Sequence, residues 1–426
     1  MQLFINRPVA ILLLAALLSV FAIRGIWPAL SVVDSDFPNY FTAAKIVADG
    51  GNTDRMYDTA WFQEQMRRYR IGTAKAGEFV PFPPPTALLL VPLARLTPLN
   101  ALRMLTCASL LFLVVSIATM ARILSWTLTE SAVFVLLSGV ALINTLRLGQ
   151  PYVLVSASCI LGYYAYTRGR PWLAGACFGI FAPIKYFPVI LLIYFAIRRE
   201  WKVLLGGSAA MLAVGMLSVA VLGWRVHEEF LSSVLGNHLV AKLNLQDPFT
   251  ASYQSFDSLY RRLFIFDASS NARPWIILPG LEAIFLLATK TSIFLIAIAT
   301  LVKLGRGGTA HATAPSIGIL GILTLLLAPA TATYHFVLLW LPIALLTQYF
   351  ISARAYRYAY FIIGAYSLIG FFPYRLTRPF EGDGGLTVLA YPRLFLLLAM
   401  FAACVYFVWR RSQATSALRG AQYDFG

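Results

Sequence analysis

Charge is scarce in this chain. Of 426 residues only 12% are charged, while 59% are hydrophobic and the mean hydropathy is +0.73. A soluble domain carries roughly 25% charged residues. The shortage excludes soluble α/β enzymes, disordered proteins and DNA-binding domains, and the long apolar runs place the chain in the membrane class. Acids are the scarcer sign, 18 against 34 Lys and Arg, which leaves a net charge of +16. In a membrane protein that excess calls for no nucleic acid, because Lys and Arg gather in the short cytoplasmic connections that set orientation. Cysteine is scarce too. Cys107, Cys159, Cys177 and Cys404 stand in apolar stretches with no CxxC pair, which argues against a disulfide framework and a thiolate metal site. The four histidines, His227, His238, His311 and His335, show no metal-ligand spacing. Walker loop, GxSxG elbow, HExxH and nucleotide-binding βαβ unit are all missing. No metal and no cofactor are expected.

What the chain has is apolar runs. Measured against the ~20 residues that cross a bilayer, about twelve segments emerge. They fall at 8–30, 99–123, 131–146, 152–167, 171–183, 187–197, 203–223, 275–302, 316–330, 334–350, 358–372 and 386–409. The apolar run 84–96 is shorter and reads as re-entrant or interfacial. Arg7 followed by an apolar run could mimic a secretion signal, but no small-residue cleavage site follows, so an uncleaved first membrane helix is expected. Two long polar loops, 31–83 and 224–274, and a polar tail, 412–426, interrupt this pattern. The short connections are rich in Lys and Arg and the long loops hold most of the acids. That asymmetry puts the N-terminus and the tail inside and both long loops outside. The first loop carries helical patterns at 37–47 and 59–69 with aromatic faces, the second with Asp58 as its N-cap. The expectation is an all-α polytopic membrane protein, one membrane-embedded domain over 1–426, with short helices at its outer face.

Chemistry must then come from isolated ionisable groups at the membrane boundary. Asp34-Ser35-Asp36 follows the first span on the outer side. A carboxylate there can take the proton of an attacking hydroxyl, and Asp36 can equally cap a helix starting at Phe37. The run from Phe79 to Pro85, FVPFPPP, forbids a regular helix and makes either a stiff turn or one wall of an aromatic-lined groove. Lys185 lies between two apolar half-segments flanked by Pro183 and Pro188. A lysine at bilayer depth costs ~2.5–3.5 kcal/mol and calls for an anionic partner such as a phosphate, unless it snorkels to the headgroups. His335 opens a span on the outer side, where it can hold a phosphate or a hydroxyl or be merely structural. Gln150, in Gly149-Gln150-Pro151, lies at another outer boundary.

Taken together, these stretches resemble the polytopic glycosyltransferases of family 87, mannosyltransferases with the membrane GT-C fold that use polyprenyl-phosphate sugars. The matching stretches are DFPNYFTAA from Asp36, DGGNTDRMYD from Asp49, FVPFPPPTALLLVPLA from Phe79, GQPYVL from Gly149, RGRPWLAGACFGIFAPIKYFPVILL from Arg168 and YHFVLLWLP from Tyr334. They run in the family's order over most of the chain. Where the family's lysine is commonly followed by proline, this chain has Tyr186, and the stretch Gln254-Ser-Phe-Asp257 in the second loop resembles the family only loosely. The resemblance implies Asp36 as general base, with Tyr40, Gln150, Lys185 and His335 binding substrate and Asp34 either tuning Asp36 or binding a sugar hydroxyl. It implies a polyprenyl-phosphate hexose, most often mannose, as donor and a glycolipid or glycan as acceptor, in an inner-membrane protein among membrane lipids whose site faces outward. The rival class is a transporter or lipid flippase, which would show two related halves.

Overall fold

The computed structural model of the chain describes residues 6–72, 77–239, 247–305 and 309–423, the side chains of 238–239, 309–311 and 412–423 excepted. His238 and His311 therefore lie outside the described side chains. The described residues are helical, with no strand beyond the isolated bridge Asp267–Asn271. Among them six helices are long and apolar enough to cross a membrane: Arg7–Ser31, Pro98–Leu124, Trp201–Leu222, Pro279–Gly305, Thr333–Ser352 and Pro392–Arg411. A bent pair raises the number to seven, and Pro84–Leu93, Pro171–Ile180 and Ala312–Leu327 are shorter apolar helices. Of the twelve apolar runs, 131–146 is cut into two short helices, and 171–183 and 187–197 form single helices of 10 and 9 residues, too short to cross alone. Chain contacts divide the fold into two compact units.

The first unit comprises Met1–Pro248 and Thr333–Leu338. Its longer helices are α1 (Arg7–Ser31), α2 (Phe37–Ala48), α3 (Thr59–Arg68), α4 (Pro98–Leu124), α5 (Leu128–Leu136), α6 (Val140–Arg147), α7 (Tyr152–Thr167), α8 (Pro171–Ile180), α9 (Val189–Ile197) and α10 (Trp201–Leu222). The helices α2 and α3 fall where the first polar loop predicts them. Asp58 caps α3 as expected, its Oδ1 accepting from the Trp61 N–H at 3.1 Å. The loop is folded because its aromatics are inward: Phe37, Tyr40, Phe41, Phe62 and Phe79 are all fully buried in one cluster. Burial of a phenylalanine of this kind stabilises by about 1.5–3 kcal/mol. The proline run, extended at Pro83, leads into a 3₁₀ helix, Pro84–Leu93, in line with the missing amide donors.

The breaks have local causes. The run 131–146 bends by 76° between α5 and α6, where Gly139 adopts a left-handed φ of +52°. Pro183 and Pro188 bracket a turn from Phe181 to Pro188, so α8 and α9 are two short helices and Lys185 sits in the turn between them. Close packing anchors α8 on α10. A Cβ at Gly175 would collide with the Val203 carbonyl, and one at Gly179 with the Gly207 carbonyl, so small residues let the two backbones meet.

The second unit comprises Phe249–Ala332 and Leu339–Gly426. It contains α11 (Phe256–Phe264), α12 (Pro279–Gly305), α13 (Thr309–Leu327), α14 (Trp340–Ser352), α15 (Tyr356–Phe371) and α16 (Pro392–Tyr423). The tail that starts at residue 412 thus continues a helix as far as Tyr423. The later part of the second polar loop is tightly bonded: Gln254 is fully buried, and its amide nitrogen donates to the carbonyls of Ala251 at 2.7 Å and Ala390 at 3.0 Å. Its Oε1 accepts from the Arg393 N–H at 3.0 Å.

Candidate functional site

The site begins at the start of α2. Asp36 occupies the position before the helix, and its backbone carbonyl accepts from the Asn39 N–H, yet its side chain makes no capping bond. The carboxylate is turned instead toward Gln150, whose Nε2 donates to Oδ2 at 2.6 Å. The capping alternative therefore falls on geometry. Gln150 sits in the turn between α6 and α7. Gly149 makes that turn possible: its φ is +63° and a Cβ there would strike the Phe37 ring. Pro151 then starts α7.

From Gln150 the bonds continue. The Tyr40 hydroxyl, one turn along α2, donates to Gln150 Oε1 at 2.7 Å, and Lys185 Nζ donates to the Tyr40 oxygen at 3.0 Å. Tyr40 and Gln150 are 0% and 1% exposed, Lys185 7%, whereas Asp36 is half-buried. Four of the six residues expected in the site thus form one chain, Lys185–Tyr40–Gln150–Asp36, drawn from three widely separated stretches of sequence. The direction of each bond is fixed by chemistry. An ammonium only donates, so the Tyr40 oxygen accepts from it, and the single phenolic proton goes to the amide oxygen. The amide nitrogen is then left facing a carboxylate, which only accepts.

Lys185 is wrapped in aromatic faces. Its Nζ lies 4.8 Å from the centre of the Phe82 ring, 5.1 Å from Tyr152 and 5.4 Å from Tyr40. The turn holding it lies outside the helices of membrane-spanning length. Burial pushes its ammonium down to about 7, and the charge of Asp36 opposes part of that fall. Burial, and next the charge of Asp36, holds the Tyr40 phenol well above its ordinary range, so it remains a donor.

His335 joins the same aromatic group from the 3₁₀ helix Thr333–Leu339. Its ring is 4.9 Å edge-on from Tyr152 and 5.1 Å from Phe187. Lys185 and His335 therefore both rest against Tyr152. Asp34 is placed apart: it is exposed, and its Oδ1 accepts from the neighbouring Ser35 N–H at 2.7 Å. Tyr186, in place of the family's proline, is half exposed and stacked on Phe187 at 5.0 Å. Among the described residues no three His, Cys, Asp or Glu side chains come together as a metal-binding group.

Sequence reasoning did not single out Phe82, Tyr152 and Phe187 as individual residues. The signals were present in the FVPFPPP and GQPYVL stretches, and the aromatic-wall reading of the proline run points to Phe82. A chemistry of proton removal at one end and anion holding at the other fits the arrangement: a half-buried carboxylate linked to a buried ammonium, with an imidazole beside it. Against known proteins, the model of glycosyltransferase family 87 matches residues 79–329. No curated protein and no solved structure matches the chain.

Proposed function

The chain belongs to glycosyltransferase family 87, and from that premise we propose that it transfers a hexose, mannose, from a polyprenyl-phosphate donor to an acceptor hydroxyl at the outer face of the inner membrane. The family match favours a transferase over a transporter. Asp36 takes the proton of the acceptor hydroxyl as its oxygen attacks the anomeric carbon. The bond from that carbon to the phosphate oxygen breaks on the opposite face, and the sugar inverts from a β-linked donor to an α-linked product. The departing polyprenyl phosphate gains a negative charge, which Lys185 and His335 stabilise through charge-assisted hydrogen bonds. Apolar helices hold the isoprenoid chain, and the acceptor is a glycolipid or glycan.

One observation carries this reading: the Asp36 carboxylate is withheld from capping and linked through Gln150 and Tyr40 to the Lys185 ammonium. The test supplies purified protein in lipid with a panel of radiolabelled polyprenyl-phosphate sugars and a native lipid extract as acceptor. Wild type should transfer from one donor, and Asp36→Asn should lose about 10²–10⁴-fold in rate with its melting temperature unchanged. Transfer by the variant at near wild-type rate removes Asp36 as the base. Folded wild type that uses no polyprenyl-phosphate sugar overturns the donor assignment.

A further inference from the structure

The family resemblance implies a substrate-binding role for Tyr40 and Gln150, and their bonding supports another. Both are at most 1% exposed, and each is already bonded on both sides. What they share is a fixed bond direction. Lys185, Tyr40 and Gln150 all donate toward Asp36, so each bond polarises the next in the same sense. The sense depends on the proton of Lys185. A neutral amine can accept the Tyr40 proton, which releases the amide oxygen of Gln150 and frees the amide to turn its nitrogen away from Asp36.

We propose that Tyr40 and Gln150 are positioning residues forming a relay through which a charged Lys185 holds the Asp36 carboxylate in its reactive orientation, so that arrival of the anionic donor readies the base. The inference rests on the reading of Asp36 as base and Lys185 as phosphate holder. A phosphate against Lys185 favours the ammonium over the amine. The ammonium fixes the Tyr40 proton on Gln150, and Gln150 then fixes Asp36. Donor at one end and base at the other are thereby coupled through three hydrogen bonds rather than by contact. The ionisable groups around the relay are Asp36 and Lys185 themselves, Tyr40 on α2, Tyr152 on α7, Tyr186 beside the lysine, His335 against Tyr152, and Asp34 two residues before Asp36.

Tyr40→Phe is the sharpest probe, because it removes one hydroxyl and keeps the ring that packs in the core and faces Lys185. With the donor identified by the panel, kcat for Tyr40→Phe should fall by roughly 10- to 100-fold, the scale of a misoriented reacting group, with donor KM little changed. Gln150→Leu should lose a similar factor, and the double variant should lose no more than the worse single, because one broken link already interrupts the chain. Gln150→Glu keeps an acceptor for the Tyr40 proton but sets a second carboxylate beside Asp36. The acid limb of kcat/KM should therefore move to higher pH. That shift reports that residue 150 faces the base, whereas the relay itself is read from the double variant: a purely structural role for the pair predicts additive losses that follow melting temperature, and that result overturns the relay. Asp36→Asn, run alongside, separates the two failures. If it is inactive while Tyr40→Phe and Gln150→Leu keep wild-type kcat, only the relay falls. If it is active, the reading of Asp36 falls first.

Discussion

Each of the two units holds a lysine among apolar helices, and the two are solvated in opposite ways. Lys290, in α12 of the second unit, reaches Asp257 on α11 at 2.6 Å, and Asp257 is only 3% exposed. Burial raises the Asp257 carboxyl and the Lys290 charge beside it pulls back down. That lysine is neutralised inside the fold, where an intramembrane cation is expected to find its partner. Lys185, in the first unit, has a phenol oxygen and three aromatic faces around it. Such neighbours stabilise an ammonium without cancelling its charge. On the proposed reading, the comparison separates a structural lysine from one whose charge serves an outside anion. The wider surroundings follow suit. In the second unit buried polar side chains close on backbone carbonyls, Gln254 on Ala251 and Ala390, Arg393 on Ile369, and Asn271 on Arg262 and Ile265. Bonds of that kind hold loops in place. In the first unit the chain runs from side chain to side chain and ends on two ionisable groups.

Removing each lysine should therefore fail differently. Lys290→Met leaves Asp257 buried without its cation and should cost about 3 kcal/mol of stability, read as a lower melting temperature in detergent. Its rate per folded molecule should hold, and Asp257→Asn added to it should restore part of the loss. A stable Lys290→Met variant with abolished transfer would break the comparison, because the pair would then be acting in the reaction. A smaller effect is expected where the Lys185 turn is anchored. Gly179→Val forces a side chain into the Gly207 carbonyl across α8 and α10. It should destabilise by about 2 kcal/mol through overpacking and should also weaken donor binding, because α8 leads directly into Lys185. Unchanged donor affinity in a destabilised Gly179→Val protein would show that the turn is held by other contacts.

Much of the first unit could be read from its residues, for reasons that are local. Asp58 announces the start of α3, the prolines of FVPFPPP exclude an α-helix, and Pro183 with Pro188 announces the break that carries Lys185. Helix number was less legible, because hydrophobicity records a run and not its bends: Gly139 divides the apolar stretch 131–146. Asp36 shows the limit of pattern most clearly. A Ser-Asp-Phe-Pro stretch is an N-cap signature and a base signature at once, and only the direction of the side chain tells them apart. Tyr40, Gln150 and Lys185 could be named singly from family resemblance, but their joining was not legible. Their bonds span 110, 114 and 145 residues of sequence, and nothing in the intervening segments sets that register. Tyr152 was hidden for a related reason, since an aromatic residue among apolar ones carries no mark of the cation it will face.

The mildest prediction concerns protons and isolates Lys185 most cleanly. Only the ammonium can attract a phosphate, and burial places its loss of a proton near 7 in the free protein. Binding of a polyprenyl phosphate should then weaken as pH rises, about tenfold per unit once well above that value. Because the Asp36 charge holds the lysine's proton affinity up, Asp36→Asn should shift the onset of weakening to lower pH, and a binding measurement detects this even though turnover is lost. Lys185→Met should bind weakly at every pH and lose this dependence, while its melting temperature stays near that of wild type or rises, because the substitution removes a buried charge that costs the fold desolvation. A large loss of stability in Lys185→Met would place Lys185 with Lys290 as a structural cation. Affinity that stays flat from pH 6 to pH 9 in wild type would show that the phosphate is held by another group, and would leave His335 as the residue to test at that end of the site.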